Sequence, residues 1–296
     1  MNLKKLDIKN KAEFKAYYIF LNSVDLHGHI NFPNEYNIFT NSLINQIKNN
    51  NLQIFLIYED KKIINYIELH HQRNIHRTII KTYKHEDIFH FKNIFDEIDS
   101  EDLIEIGIRD NENQNYINSS SQFKKTKKYN FMNLSKQEFI NLSIKPNNSN
   151  FKTHKFNIKN DLENLTFIQN ECFKKHHGYE INSNNNIKEE INSIEQNNIN
   201  NIEVLLNYEG NWIAYCWTYY NKKTKSGKLS MVGVREGFRG HGAAKIVILN
   251  SLIKIFDLGC NIIELEVDNS NKSAKTIYSN LGFSISNNLN WYQITK

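Results

Sequence analysis

The stretch VREGFRGHGAAK, residues 234–245, collects three glycines within six residues of a chain that has only 11 among its 296 residues. They are Gly237, Gly240 and Gly242, and Arg239 stands between them. The alternating KLSMVGV that leads into this stretch predicts a strand, and the apolar run behind it has helical spacing. The sequence therefore predicts a glycine loop between a strand and a helix.

A strand–loop–helix joint of this kind is typical of a phosphate site. The first backbone N–H groups of a helix point together at the positive end of its dipole, which favours an anion. Glycine at positions 240 and 242 lets an anion approach the backbone, Ala244 keeps the helix start narrow, and Arg239 adds a charged donor. No GxxxxGK[ST] motif is present, and Lys245 replaces the third glycine of GxGxxG. An ordinary glycine-rich turn without a ligand is the alternative.

Length and composition predict a globular, cytoplasmic protein of two domains. The prior of roughly 150 residues per domain gives two domains for 296 residues. The net charge of +5 is mild, and no basic run indicates a nucleic-acid tail. No apolar run approaches the ~20 residues of a membrane helix, and no signal peptide is recognisable. Cys172, Cys216 and Cys260 are scattered, which predicts free buried thiols and no metal site.

The two halves of the chain resemble each other at a fixed offset. NLQIFLIYEDKKI (51–63) aligns with NIEVLLNYEGNWI (201–213), and each reads as strand, tight turn, strand. Further along, LIEI (103–106) aligns with IIEL (262–265) at a larger offset, so the second copy has gained about ten residues, the glycine loop among them. Chance similarity of Ile/Asn-rich strands is the alternative. A duplication predicts domains over 1–145 and 151–296.

Each copy reads as a strand, helices, three strands, a helix, a strand, a helix and a last strand, which is an α/β layout. The polar KKTKSGK (222–228) is predicted to be a hairpin tip, and His70 and His71 lie in one strand, where they face opposite sides. For the second copy the predicted strands are 151–157, 202–208, 212–221, 227–234, 261–267 and 289–295, and the predicted helices are 160–174, 186–197, 242–257 and 271–280.

Two motifs in the second half of the chain, and the order in which they occur, carry a resemblance to a known protein family. Arg239, Gly242 and Ala244 form R-x-x-G-x-A, and NKSAKTIYSNLGF (271–283) follows downstream. In the latter, Asn271, Ala274 and Tyr278 are three and four residues apart and so share one helix face. Together these motifs resemble the GNAT acetyltransferase superfamily over about residues 151–296. The first half enters the resemblance only through the internal repeat.

The resemblance implies an α/β (α+β) fold of two tandem GNAT-like domains, each a mixed, mostly antiparallel sheet flanked by helices. It implies acetyl-CoA as co-substrate, held by a splayed pair of central strands, with its pyrophosphate on residues 239–245 and its pantetheine bonded by Asn271. Tyr278 would protonate the leaving thiolate, and the backbone of the strand would polarise the thioester. The implied cofactor-binding residues are Met231, Val232, Val234, Arg239, Gly240, His241, Gly242, Ala243, Ala244, Lys245 and Asn271.

The acceptor implied by the family is an amine of a small molecule or peptide. An amine of pKa near ~10 is mostly protonated at neutral pH, so a base must assist. The chain departs from the family here, because KLSMVGV carries no carboxylate, and Glu236 stands where proline is common. In FKKHHGYE (173–180), His176, His177 and Tyr179 are candidates for acceptor contact or base, or else form a solvated loop after a helix.

The first copy lacks the glycine loop and its arginine, and an isoleucine or Asn118 falls near the position of Tyr278. It therefore resembles a degenerate copy that supports the fold and lines the acceptor cleft. The leading hypothesis is an acetyl-CoA-dependent N-acetyltransferase with no nucleic-acid or membrane partner. One alternative is a tandem Fem-type aminoacyl transferase, which the retained glycine loop disfavours. The other is a non-catalytic acetyl-CoA sensor, which the retained Tyr278 disfavours.

Overall fold

The structure is a computed structural model that describes residues 1–24, 36–110, 117, 120–143, 151–195 and 199–295. The chain divides into two compact units. We call residues 1–127 with 289–296 the N unit, and residues 128–288 the C unit. Each unit is built on its own set of paired strands.

The N unit carries a sheet whose strands run in the order β1-β2-β3-β4-β5-β12. Only β4 and β5 are parallel to each other; the other described neighbours pair antiparallel. Helices α1 and α2 precede β2, and short 3-10 turns occupy Arg73–Ile75, His85–His90 and Lys92–Glu97. The bounds are β1 Asn2–Lys5, α1 Lys11–Ser23, α2 Tyr36–Lys48, β2 Leu52–Glu59, β3 Lys62–Gln72, β4 Arg77–Thr82, β5 Leu103–Arg109 and β12 Ser284–Ile294.

The C unit has the corresponding order β6-β11-β10-β9-β8-β7, again with one parallel pair, β10 and β11. Apolar side chains of α6 pack on this sheet, with Val247, Leu252 and Ile255 fully buried. The bounds are β6 Phe123–Ser135, α3 Lys136–Asn141, β7 Lys152–Lys155, α4 Ile158–Phe173, α5 Asn184–Glu195, β8 Ile199–Leu206, β9 Trp212–Asn221, β10 Ser226–Val234, α6 Ala243–Asp257, β11 Ile262–Asp268 and α7 Lys272–Asn280.

The chain passes between the units within β6 and within β12, so the units do not coincide with the two sequence copies. The later part of β6 pairs with β11, from Tyr129 opposite Asp268 to Ser135 opposite Ile262. The later part of β12 pairs with β5, from Leu289 opposite Arg109. The last strand of each copy therefore joins the sheet of the other unit. The predicted boundary at 145–151 differs from this division, and residues 144–150 lie outside the described part of the chain.

Strands β10 and β11 separate after a short parallel stretch. Their pairing runs from Ser226 opposite Ile262 to Leu229 opposite Leu265 and then stops. Beyond that point β10 stays paired with β9 as far as Val234, while β11 stays paired with β6 as far as Asp268. A bulge between Leu229 and Met231 bends β10 where the separation begins. The facing edges of the two strands are thus left open, as the resemblance implied.

Most elements predicted for the C-terminal copy are confirmed within a few residues, and the mixed, mostly antiparallel fold class is confirmed. The hairpin tip at 222–225 is a turn between β9 and β10, and the three cysteines are free and buried. A helix was predicted after the third of three consecutive strands in each copy. In the N unit this strand is β4, and the prediction is wrong there. Two 3-10 turns stand there instead, and buried isoleucines such as Ile88 and Ile94 anchor them in the core.

Within the described residues, the helices are all too short or too polar to cross a membrane.

Candidate functional site

The glycine loop connects β10 to α6, as the sequence predicts. Gly240 and Gly242 have φ angles of +82° and +84°, a conformation that side chains with a Cβ rarely adopt. A Cβ added to either residue would meet no atom within 4 Å, so both backbones face open space. Gly242 is the N-cap of α6, and no side chain caps the helix. The first N–H groups of α6 therefore remain available to an anion.

A cavity of about 530 Å³ opens over this loop. It extends from the N-terminus of α6, past the open edge of β10, to one face of α7. A cavity of this size suits an extended cofactor. Its lining comprises Cys172, Phe173, His176, Val232, Gly233, Val234, Phe238, Arg239, Gly240, Gly242, Ala243, Ala244, Lys245, Ile248, Asn271, Ser273, Ala274, Ile277 and Tyr278.

Ten of the twelve predicted site residues line this cavity, and the other two do not. The side chain of Met231 turns to the opposite face of β10, where it packs against the core residues Tyr215 and Trp217. The ring of His241 bonds back to the loop, with Nδ1 2.9 Å from the carbonyl oxygen of Arg239. The role that the resemblance gives Met231 uses its backbone N–H, so the direction of its side chain does not bear on that role.

Arg239 is held at the mouth of the cavity by the loop itself. Its Nε donates to the carbonyl oxygen of Val234 at 3.1 Å. This bond fixes the position of Nε. The side chain of Arg239 is otherwise exposed to solvent. Its terminal nitrogens make no hydrogen bond or ion pair with the described residues, which leaves them able to make a charge-assisted contact with a ligand.

Asn271 and Tyr278 lie at the two ends of α7. Asn271 is the N-cap of this helix, and its Oδ1 accepts from the N–H of Ala274 at 3.1 Å. The cap orients the side chain so that its amide nitrogen, which only donates, is left for another partner. The sequence assigned Asn271 to ligand binding alone and missed this second role.

Tyr278 is 8% exposed and lines the cavity. Its ring packs edge-on against Phe283, with 5.8 Å between centroids. Its hydroxyl makes no hydrogen bond with the described residues. Burial raises the pKa of Tyr278 well above its usual value. The hydroxyl therefore stays protonated at neutral pH and is able to donate.

The end of α4 supplies the remaining wall. His176 lines the cavity beside Phe173, with 4.9 Å between the ring centroids. Tyr179 turns away and donates from its hydroxyl to Asn170 at 2.9 Å. Burial raises the pKa of the Cys172 thiol to about 11, so it stays a neutral thiol in this wall. Of the candidates in FKKHHGYE, only His176 lies in the cavity lining.

Several lining residues carried no recognisable signal in the sequence. Gly233 is the clearest example, because a Cβ there would lie 2.4 Å from Cε1 of Tyr215. This glycine lets a buried tyrosine ring pack flat on β10, a requirement set by tertiary contact. Phe238, Ile248 and Ile277 are apolar residues whose pattern fits an ordinary core equally well.

Comparison with known proteins agrees with this geometry. Residues 163–283 match the sequence profile of the Acetyltransferase (GNAT) family. No curated protein sequence is matched. The matched segment lies within the C unit and includes both the glycine loop and α7.

Solved structures extend the likeness to the whole chain at low identity. A tandem GNAT protein from the clavulanic acid biosynthesis pathway is similar at a TM-score of 0.74 and 7% identity, over 99% of this chain and 97% of that one. A GCN5-related N-acetyltransferase from Sphaerobacter thermophilus gives 0.65 and 11%, over 99% and 94%. A GNAT-family acetyltransferase from Colwellia psychrerythraea gives 0.62 and 12%, over 100% of both chains. At these identities the likeness concerns the fold, which is that of tandem GNAT proteins.

Proposed function

We propose that the C unit binds acetyl-CoA and transfers its acetyl group to an amine of a small molecule or peptide. One observation carries the proposal: the uncapped N-terminus of α6, with its open glycines, and the unpartnered hydroxyl of Tyr278 line the same cavity. An anion site and a proton donor in one cavity match the pyrophosphate and the thioester sulfur of acetyl-CoA. The match to the GNAT family supports this assignment.

In this proposal the pyrophosphate lies on residues 239–245. The N–H groups of α6 and the guanidinium of Arg239 bind its oxygens. The pantetheine arm runs along the open edge of β10, past Val234 and Val232, with the amide nitrogen of Asn271 as a side-chain donor. The thioester carbonyl then reaches the bulge at Met231, whose N–H stabilises the negative charge that develops on the oxygen.

The chemical step is an acyl transfer to nitrogen. The lone pair of the amine attacks the thioester carbon, a C–N bond forms, and the C–S bond breaks with its electron pair on sulfur. Tyr278 donates its proton to that sulfur, and the amine loses a proton. His176 is our candidate to accept the proton of the amine, because it is the one imidazole in the described lining of the cavity.

Release of free CoA thiol from acetyl-CoA, measured over a panel of amines, tests this function. The Arg239→Ala variant should weaken acetyl-CoA binding about 10–100-fold, since a charge-assisted contact contributes roughly 1.5–3 kcal/mol. Equal affinity of the wild type and the variant in calorimetry contradicts the site. Binding without amine-dependent thiol release favours a sensor, and absence of acetyl-CoA binding leaves the aminoacyl transferase.

A further inference from the structure

A second, smaller cavity of about 210 Å³ lies beside the proposed acetyl-CoA site. The two cavities share three lining residues, which are Cys172, His176 and Arg239. The other residues of the smaller one come from the end of α4 and from the segment after β10. We call it the basic pocket, and its lining is Glu171, Cys172, Lys174, Lys175, His176, Arg235, Glu236 and Arg239.

The charge of this lining is unbalanced. It carries four permanent cations, the two lysines and two arginines, against two carboxylates. One carboxylate is already engaged, because Oε2 of Glu171 lies 3.0 Å from Nε of Arg235. The remaining positive charge faces a cavity large enough for a carboxylate or phosphate group. A concave surface with an excess of one charge attracts ligands of the other charge.

Arg235 is fixed in place before any ligand binds. Besides its bond to Glu171, its guanidinium lies over the ring of Phe167, 5.8 Å from the centroid. Its backbone N–H donates to the carbonyl oxygen of Ile213 at 2.9 Å, which anchors the residue to β9. A guanidinium held on two sides loses little conformational freedom on binding an anion.

We propose that the basic pocket is a second anion subsite, which takes a carboxylate or phosphate other than the pyrophosphate held by the glycine loop. This inference rests on the proposed function. Two sources supply such a group next to an acetyl-CoA site. One is the carboxylate of the acceptor, which makes the acceptor an amino acid. The other is the 3′-phosphate of the cofactor.

A purely structural role of the lysines is the competing explanation. Lys174 and Lys175 come directly after the last residue of α4, where cations stabilise the negative end of a helix dipole. That role affects folding stability and leaves ligand selectivity unchanged. The two explanations therefore separate in a comparison of ligands that differ by one charged group.

The test uses the full chain and the double variant Lys174→Gln/Lys175→Gln. Lys222→Gln/Lys223→Gln is the matched control, because it removes the same charge from exposed lysines of the β9–β10 turn. The cofactor pair is acetyl-CoA and 3′-dephospho-acetyl-CoA, measured by calorimetry. The acceptor pairs are amino acids and their amides, which share the amine and differ in the carboxylate, measured by thiol release.

Exposed ion pairs change affinity modestly, so the two lysines together should contribute about 3–20-fold at low salt. If the cofactor is the source, the wild type and the control prefer acetyl-CoA to its dephospho form by this factor, and the double variant loses the preference. If the acceptor is the source, the double variant loses the preference for amino acid over amide and keeps its cofactor affinity. In both cases the difference shrinks as salt rises.

A double variant that behaves like the control in both arms overturns the inference. Failure of the proposed function looks different, since the wild type then binds neither cofactor. The proposed function and the second anion subsite are therefore contradicted by different measurements.

Discussion

The N unit and the C unit contain corresponding strands. They differ in the segment that follows β4 in the N unit and β10 in the C unit. Both have an antiparallel hairpin, β2–β3 in one and β8–β9 in the other, which leads into a short parallel pair. After β10 come the glycine loop, α6 and an open cavity. After β4 come two 3-10 turns whose isoleucines are buried.

The isoleucines of the N unit occupy the core around its parallel pair. Ile88 and Ile94 belong to one apolar cluster with Ile80 of β4 and with Ile106 and Ile108 of β5. Burying each such side chain contributes about 1.5–3 kcal/mol, so this arrangement stabilises the unit. The C unit keeps an open cavity at the corresponding joint. The comparison teaches that the sheet alone does not form a candidate ligand site. The segment that follows β4 or β10 decides whether such a site is present.

Two tyrosines of the two units differ in their hydrogen bonding. In the N unit the hydroxyl of Tyr17 donates to Glu68 at 2.7 Å, and Glu68 also lies 2.7 Å from Nε2 of His70. These groups satisfy one another. In the C unit the hydroxyl of Tyr278 faces the cavity without a partner among the described residues. The hydroxyl of Tyr17 is therefore engaged within the fold, whereas that of Tyr278 keeps its hydrogen-bonding capacity for a ligand.

The largest effect is expected from Gly242→Val. The branched side chain fills open space in the cavity and strains a backbone at φ +84°. Acetyl-CoA affinity should fall at least about 100-fold, or about 3 kcal/mol, because several contacts to the pyrophosphate are lost together. Calorimetry measures this loss.

Gly210→Val is the matched control. Gly210 has φ +86° and equally open space, but it lies in the turn between β8 and β9. It carries the same backbone strain without touching the cavity. Equal losses of affinity in both variants contradict the assignment of the loop.

Tyr278→Phe should lower turnover about 100-fold, at the low end of the 10²–10⁴ range for general acid catalysis, because a thiolate is a tolerable leaving group. Acetyl-CoA affinity and thermal stability should change little, since the ring and its contact with Phe283 remain. Tyr292→Phe, which removes a hydroxyl from a buried tyrosine of the N unit, should leave turnover unchanged. A fall in affinity that equals the fall in rate makes Tyr278 a binding residue instead.

A smaller effect is expected in the N unit from Glu68→Gln. Burial alone raises the pKa of Glu68, but the hydrogen bond and charge of His70, together with the charge of Lys81 and the hydrogen bond from Tyr17, outweigh it and lower the pKa from 4.5 to about 2. A carboxylate whose pKa is lower in the folded state than in the unfolded state stabilises the folded state at pH values above its unfolded pKa. This stabilisation is lost as the pH falls towards the folded pKa of about 2. The variant should therefore be about 2–3 kcal/mol less stable at pH 6 and about equal to the wild type near pH 2.

Denaturant unfolding at several pH values measures this difference. Glu97→Gln, which breaks the exposed pair with Lys5, should change stability by less than about 1 kcal/mol. A pH-independent difference between wild type and Glu68→Gln contradicts the account of the ion pair.

The sequence predicted the C unit well because its elements carry local signals. Glycines marked the loop and the turn at Gly210, and apolar spacing marked α6. Strand β12 begins at Ser284, earlier than the predicted 289, and in this extension Oγ of Ser286 donates to the carbonyl oxygen of Phe131 in the neighbouring β6. The basic pocket went unnoticed, since its lysines and arginines come from separate segments of the chain and meet only in the fold.

The division of the chain was harder to predict than its elements. Each copy was predicted to end in a strand, with a position given only for the second copy, and the pairing partners of β6 and β12 are set by tertiary contacts. Two 3-10 turns stand in place of the helix expected after β4, and their Ile88 and Ile94 are buried in the core. Asn118, the residue considered opposite Tyr278, lies outside the described part of the chain.

The number of acetyl-CoA molecules bound per chain tests the comparison of the two units most directly. Calorimetric titration of the full chain should saturate at one, because only the C unit carries the glycine loop among the described residues. The same titration of Gly242→Val should show this single site strongly weakened. Two sites in the wild type, or one site of undiminished affinity in Gly242→Val, would contradict the account.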